Sequence, residues 1–362
     1  MKLNRKIILM LCCGVSLVVW LTGCAMLPKN KIAKSTTNFN LVVERAANEM
    51  LLLNIVRASK RHPMYFTGLT TIRGSLSYEV STGEITIPFG KIGSGYNGAY
   101  SAVSPALKYS SNPVFDVNVL DNKEFYDAMM TPVPLETIDY FFQQGWPREM
   151  LLHLFIRCID YYDKKGEMKS LRNYPGDEEE FIQFQTKLRE IFSGELNIEV
   201  KKTSQSIENK IKVKDKNKKK IRVIVAEPGV SLPTTEKKEG TYILHLRSPE
   251  AILYYLGEII RAEMKGKPFI PTIKLNPKRC AEKPDAPLFV VHKKTYKDKS
   301  PIVTVTYEGT TYVIPKSSDD ESSDECSVDR SMHVLSLVSL IIGKQKTSTP
   351  VPSTGVVSII GR

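Results

Sequence analysis

Read for the spacing of its apolar positions, the chain separates into helical and extended stretches. The segment 38–60 (FNLVVERAANEMLLLNIVRASK) predicts a helix whose apolar groups point in nearly every direction, ended by His62-Pro63 and therefore buried on several sides. Polar groups on such a helix need partners, and Arg57, near Asn54, is expected to pin a carboxylate or loop carbonyls. Residues 64–120 change character: Tyr, Thr, Val and Ile alternate with polar residues between glycine-rich turns, which predicts antiparallel strands and hairpins. From Asp121 to Asp163 the helical pattern returns, punctuated by Pro132, Pro134 and Pro147. Cys158 falls there, in the apolar run LLHLFIRCIDYY, as a core thiol. A helix near Glu178–Phe192 follows.

The strands LNIEVKK and KIRVIVAE then flank a lysine-rich insertion at 201–222, predicting a long charged hairpin with a protruding tip that the fold does not need. TYILHLRS reads as a strand leading into the helix PEAILYYLGEIIRAEMKG, with Ser248 as N-cap and Pro249 at the first helical position. Strands PLFVVHKK, PIVTVTYEG and TTYVIP follow, then a helix from about Asp329 to Ile342 and a last strand, GVVSIIG. Hairpins and helices mix without steady βαβ alternation. The expected class is α+β, a mixed or antiparallel sheet with packed helices.

The first residues carry an address. Lys2, Arg5 and Lys6 precede the apolar run Ile7–Leu21, which is shorter than the roughly 20 residues of a membrane span, and the small residues Thr22 and Gly23 follow. The next residue is Cys24, so Leu21-Thr22-Gly23-Cys24 resembles the bacterial lipobox, whose cysteine is lipidated and becomes the mature N-terminus. The alternative is an ordinary secretory signal, or an uncleaved anchor, with a chance cysteine. The resemblance implies a lipoprotein signal peptide at 1–23, a lipidated tether at 24–37 without hydrophobic periodicity, and an α+β globular domain at 38–362. Acyl chains buried at about 0.8 kcal/mol per methylene would hold the membrane without a polybasic patch. Position two of the mature chain is Ala25 rather than the Asp that commonly retains such proteins in the inner membrane, which implies the outer membrane with the domain facing the periplasm.

Charge adds less than it first suggests. Loss of the three basic residues of the signal takes the formal net charge from +12 to +9. Ten basic residues against Glu208 and Asp215 lie between Lys201 and Arg222, so most of the excess belongs to one insertion: a solvated segment, or an arm for anionic envelope surfaces. An acidic loop at 316–327 opposes it. No nucleic-acid motif accompanies the run, and nucleic acid is not expected as a partner. Of the six cysteines, three remain after the signal and Cys24, and Cys280 with Cys326 form the candidate disulfide.

Motifs for chemistry are few. The segment Gly93–Gly98 fits G-x-G-x-x-G, but no βαβ unit surrounds it, so it reads as a glycine turn. The five histidines show no metal-site spacing, no thiol has a partner at useful spacing, and neither a phosphate loop nor a G-x-S-x-G elbow occurs. No metal, cofactor or catalytic residue is therefore assigned. The densest polar cluster is Arg247, Ser248, Glu250, Tyr254, Tyr255, Glu258 and Arg261. An anion groove, if the chain has one, is expected at Arg247, Ser248, Tyr254, Glu258 and Arg261, because the helix starting after Ser248 attracts anions and Arg247 sits beside it. A structural network of surface pairs is the other reading.

Three stretches together resemble a group of uncharacterised envelope lipoproteins of Gram-negative bacteria: Asn48–Arg57, Arg247–Glu250 with Tyr254–Glu258, and Asp329–Ser331 followed by a helix and strand. The resemblance implies an envelope lipoprotein without assigned chemistry. Two function classes follow. The first is a lipid-anchored, non-enzymatic structural or interaction component of an envelope assembly, which calls for exposed sheet edges or apolar patches. The second is a membrane-anchored enzyme or binding protein acting on envelope polymers or lipids, which calls for a cleft with converging groups. A carrier of a small apolar ligand would need a closed cavity.

Overall fold

The computed structural model describes residues 29–88, 99–192, 195–203, 206–214, 220–226, 241–264, 269–274, 285–295, 300–316, 330–347 and 357–359. The fold is α+β, as the patterning predicts: seven helices and mixed and antiparallel sheets among the described residues. Two units separate, Met1–Asn48 and Glu49–Arg362. The signal segment and Cys24 lie outside the described residues.

Helix α1 (Lys29–Ser59) starts earlier than expected. Residues 29–37, read as tether, are helical, because no proline or glycine interrupts the chain between Lys29 and Ser59 and adding a turn to an existing helix is cheap compared with nucleating one. From residue 37 to Asn48 its described side chains are exposed or half-buried, Leu41 and Val42 being 56% and 53% exposed. Burial on several sides begins only at Leu51, and Leu52, Ile55, Val56 and Ala58 are fully enclosed.

Strands β1 (Thr67–Pro88) and β2 (Ala99–Val119) form one long antiparallel hairpin, in register from Thr67↔Val119 to Pro88↔Ala99 with an irregularity at Leu69/Thr71. The glycine turn 93–98 lies outside the described residues. The last strand, β14 (Val357–Ile359), pairs with β2 at Phe115–Val117, giving the order β1-β2-β14.

Three short helices follow: α2 (Lys123–Met130), α3 (Leu135–Gln143) and α4 (Arg148–Phe155), the last two entered from Pro134 and Pro147. The expected helical run to Asp163 breaks after Phe155. There α4 passes with no intervening loop into β3 (Ile156–Tyr162), where β-branched and aromatic residues favour the extended state. β4 (Met168–Arg172), which the patterning does not announce, pairs with β3, and α5 (Glu178–Ile191) follows with Asp177 as its N-cap.

The lysine-rich insertion is not a hairpin tip. Residues 195–225 form a three-strand meander, β5 (Glu195–Thr203), β6 (Ser206–Lys214) and β7 (Lys220–Val225), in which β5 and β7 each pair with β6 rather than with one another. The reason is legible in hindsight: in SIENKIKVK the lysines and glutamate alternate with Ile207, Asn209, Ile211 and Val213, a period of two hidden inside the charge run. β8 (Thr241–Leu246) then pairs parallel with β7 and antiparallel with β3, completing a six-stranded mixed sheet of order β4-β3-β8-β7-β6-β5.

Helix α6 (Pro249–Glu263) starts as expected, with the Ser248 hydroxyl accepting from the Ala251 N–H at 3.2 Å. β9 (Thr272–Lys274), which the patterning does not announce, pairs with β10 (Asp285–Pro287), and of the expected strand PLFVVHKK only Pro287, at the end of β10, and β11 (His292–Lys293) are extended in sheets; β12 (Val303–Tyr307) and β13 (Thr310–Ile314) form as expected, in the order β11-β13-β12. Helix α7 (Ser331–Thr347) follows. No helix among the described residues is long and apolar enough to cross a membrane.

Two apolar clusters organise the second unit. In one, Phe184, Leu188 and Ile191 of α5 cover Ile156, Ile159, Val223 and Leu244 of the six-stranded sheet. In the other, the end of α1 packs with α2, α3, α6, α7 and the β11–β13 sheet. Helix α4 serves both, with Leu152 in the first and Met150, Leu151, Leu154 and Phe155 in the second, so all its residues from Met150 onward are buried. Where α6 crosses α1, a Cβ on Gly257 would lie 2.7 Å from the Ser59 nitrogen. Only glycine permits that approach.

Candidate functional site

The predicted groove does not form around Arg247. Helix α4 ends without a glycine or left-handed cap, so its last carbonyls need donors from elsewhere. Arg247, following β8, supplies them. Its Nη1 donates to the carbonyls of His153 (2.9 Å), Leu154 (3.1 Å) and Ile156 (2.8 Å), its Nη2 to that of Asn173 (2.8 Å), and its backbone N–H to that of Phe155 (2.7 Å). Asn173 Nδ2 adds bonds to His153 O (2.7 Å) and Ile156 O (2.8 Å), and the Ile156 N–H closes on Leu152 O. Every orphan carbonyl of the last turn is thereby accounted for.

A cation at a helix C-terminus is favourable, and the Tyr255 ring, 3.8 Å below the guanidinium, adds a cation–π contact. Burial lowers the Arg247 pKa to about 10, which leaves it charged at neutral pH, and burial raises that of Tyr255. Beside this clamp His153, fully buried, donates through Nδ1 to Glu149 O at 2.7 Å and accepts at Nε2 from Gln185 Nε2 at 3.1 Å. Desolvation lowers its pKa to about 4. Arg247 therefore points into the core rather than into a groove, and both terminal nitrogens of its guanidinium are spent on backbone carbonyls.

The other groove residues are likewise committed or separate. Ser248 uses its hydroxyl as the cap. Glu258, 7% exposed, receives Arg61 Nη2 at 2.7 Å and Arg261 Nη1 at 3.2 Å, so Glu258 and Arg261 form an ion-pair network tying α6 to the turn after α1. Tyr254 is half-buried on the same helix. The same turn carries His62 Nδ1 against Tyr307 Oη at 2.9 Å and Lys60 Nζ against Glu308 at 2.5 Å; that pairing raises the Lys60 pKa and lowers that of Glu308. Arg57 also departs from expectation. It donates to Asn54 Oδ1 (3.1 Å) and lies over the rings of Tyr65 and Tyr307, while Asn54 clasps the Tyr65 backbone in both directions (2.7 and 3.0 Å).

A second cluster escaped the sequence reading. Cys158 and Asp160 on β3 and His245 on β8 bring one ligand atom each within 4.8 Å of one another, and His245 Nε2 lies 2.7 Å from Asp160 Oδ2. Cys158 is a free, half-buried thiol on a strand rather than a core thiol on a helix. Desolvation, with Asp160 beside it, raises its pKa, against an opposing pull from Arg157 and Arg247. Spacing alone hides this group, since 85 residues separate Asp160 from His245. The proposed Cys280–Cys326 pair lies outside the described residues.

Between α3, α4 and the sheet is a cavity of about 20 Å³ with an apolar lining that includes Leu135, Phe142, Leu152 and Leu244. It holds about one water-sized sphere and no ligand. Compared with known proteins, the chain matches no protein-family model, no curated protein and no solved structure.

Proposed function

We propose that this chain is a lipid-anchored cell-envelope protein, held in the outer membrane through Cys24, whose globular part is a non-enzymatic interaction component of an envelope assembly on the periplasmic side. The sequence Leu21-Thr22-Gly23-Cys24 supports the anchor. The observation that carries the interaction role is β1: among the described residues this strand of 22 residues pairs only with β2, so it offers one edge of backbone donors and acceptors along its length. Long open edges recruit further strands, and natural proteins that keep them commonly use them for strand addition by a partner. The polar cluster nearest an anion groove supports the same reading, because Arg247 and Glu258 are occupied by the framework.

The test is an affinity pull-down from crosslinked, detergent-solubilised envelopes with three forms: the full chain, Cys24→Ala, and a chain in which 76–111 are replaced by Asn-Gly. The last keeps the β1–β2 pairs from Thr67↔Val119 to Ser75↔Asn112, together with the β14 contact. A stoichiometric protein partner recovered with the full chain and lost with the shortened hairpin is the expected result. Recovery of the chain alone, or of the same partner with the short hairpin, contradicts the interaction role.

A further inference from the structure

We infer that Cys158, Asp160 and His245 form a binding site for one divalent transition-metal ion of the zinc class, with three protein ligands and a fourth position open to water. The site follows from an irregularity in β3. Ile156 and Ile159 are three residues apart yet both join the apolar cluster under α5, which strict alternation forbids. A register shift between Ile156 and Cys158 resolves the conflict, placing Ile159 inward and both Cys158 and Asp160 on the opposite face. On that face His245 is the direct cross-strand partner of Cys158, and its ring reaches diagonally to Asp160.

The donor set suits the ion. Thiolate, imidazole and carboxylate are the zinc ligands of proteins, and bonds of about 2.0–2.3 Å in tetrahedral geometry separate ligand atoms by about 3.2–3.8 Å; the three atoms lie within 4.8 Å of one another, and the 2.7 Å His245–Asp160 contact widens by about half an ångström to admit the ion. Two anionic ligands and a neutral imidazole cancel the charge of the ion, so the buried guanidinium of Arg247 nearby faces a neutral complex. The His245 and Asp160 side chains are 27% and 17% exposed, which leaves an entry path from solvent.

Binding balances simply. A neutral His245 binds the ion through Nε2 with its single ring proton on Nδ1, the ion replacing the His245–Asp160 contact, and Cys158 loses its thiol proton to solvent as the sulfur–metal bond forms. About one proton leaves per ion. A thiol–imidazole nucleophile is the competing use of the same atoms. It is disfavoured because His245 Nε2, the atom that would take the thiol proton, is turned to Asp160.

The experiment uses the full chain without a polyhistidine tag, purified in detergent, stripped with chelator and titrated with Co²⁺ and then Zn²⁺. One Co²⁺ per chain, showing a sulfur-to-cobalt charge-transfer band and the intense visible bands of four-coordinate cobalt, is expected, with displacement by one Zn²⁺. Cys158→Ser loses the charge-transfer band. His245→Gln and Asp160→Asn weaken binding by about 100-fold. Cys280→Ser, the control for thiols elsewhere, changes nothing. Circular dichroism and a melting curve on each variant establish folding. No cobalt spectrum at millimolar metal overturns the site, and so does binding that survives Cys158→Ser or His245→Gln in the folded protein. The result is independent of anchoring and of the pull-down, so either proposal can fail without the other.

Discussion

Two polar clusters, centred only two residues apart in the chain, at His245 on β8 and at Arg247 just after it, have opposite characters. At Arg247 both terminal guanidinium nitrogens and the backbone N–H meet backbone acceptors at 2.7–3.1 Å in a buried interior. Around His245 three ligand-type atoms converge on a half-exposed face, and the contact at hydrogen-bond distance is His245 to Asp160. The richer cluster is framework and the sparser one is available for chemistry. What separates them is whether the reactive atoms are already saturated, a property of the fold that residue density along the chain does not report.

The contrast is sharpest in stability. Arg247→Ala removes a donor from four carbonyls, of which those of His153 and Ile156 keep Asn173 Nδ2 while those of Leu154 and Asn173 lose the donor described above, and the expected cost is about 4 kcal/mol, measured by urea denaturation. A loss under about 1 kcal/mol would mean that water or neighbouring groups replace the clamp. The next effect is pH-dependent. His153 has its folded pKa lowered to about 4, so the unfolded chain binds the extra proton first as pH falls: stability is fully present above about 6.5 and drains away between 6.5 and 4, by about 3 kcal/mol. The slope in that window should vanish in His153→Gln. An unchanged slope would place the titrating group elsewhere.

Smaller still is the crossing of α1 and α6, the helix that carries Tyr255 to Arg247. Gly257→Ala forces a methyl against the Ser59 and Ala58 backbone at under 3 Å, and a loss of about 2 kcal/mol is expected in a thermal or urea melt. At the other cluster, Cys158→Ser and His245→Gln should cost less than about 1 kcal/mol in the metal-free protein, because no buried backbone depends on either side chain. Costs comparable to Arg247→Ala would erase the distinction between the clusters.

Local chemistry explains what could be read from the sequence. The start of α6 was legible because capping by Ser248 and proline at the first position act within one turn. Helix α5 and the strands β8, β12 and β13 were legible for the same reason. The break between α4 and β3 was not, since LLHLFIRCIDYY contains no turn residue and the cap comes from Arg247, more than 90 residues away. β6 was masked because its lysines outweigh its alternation to the eye. The groove prediction failed at Arg247 for a related reason: a helix N-terminus and a neighbouring arginine share a locus in sequence, but the guanidinium is drawn to the C-terminus of a different helix. The Cys158 cluster needed both the strand pairing and the register shift before it existed.

Neither cluster bears on the proposed location, which rests on the lipobox resemblance at Cys24. The most direct measurement is metabolic labelling with a fatty-acid analogue, followed by membrane fractionation, for the wild type and Cys24→Ala. The account predicts label and membrane association in the wild type, with both lost and the protein released in soluble form in Cys24→Ala. Label that persists in the variant, or a variant that still sediments with membranes, would contradict lipid anchoring through this cysteine.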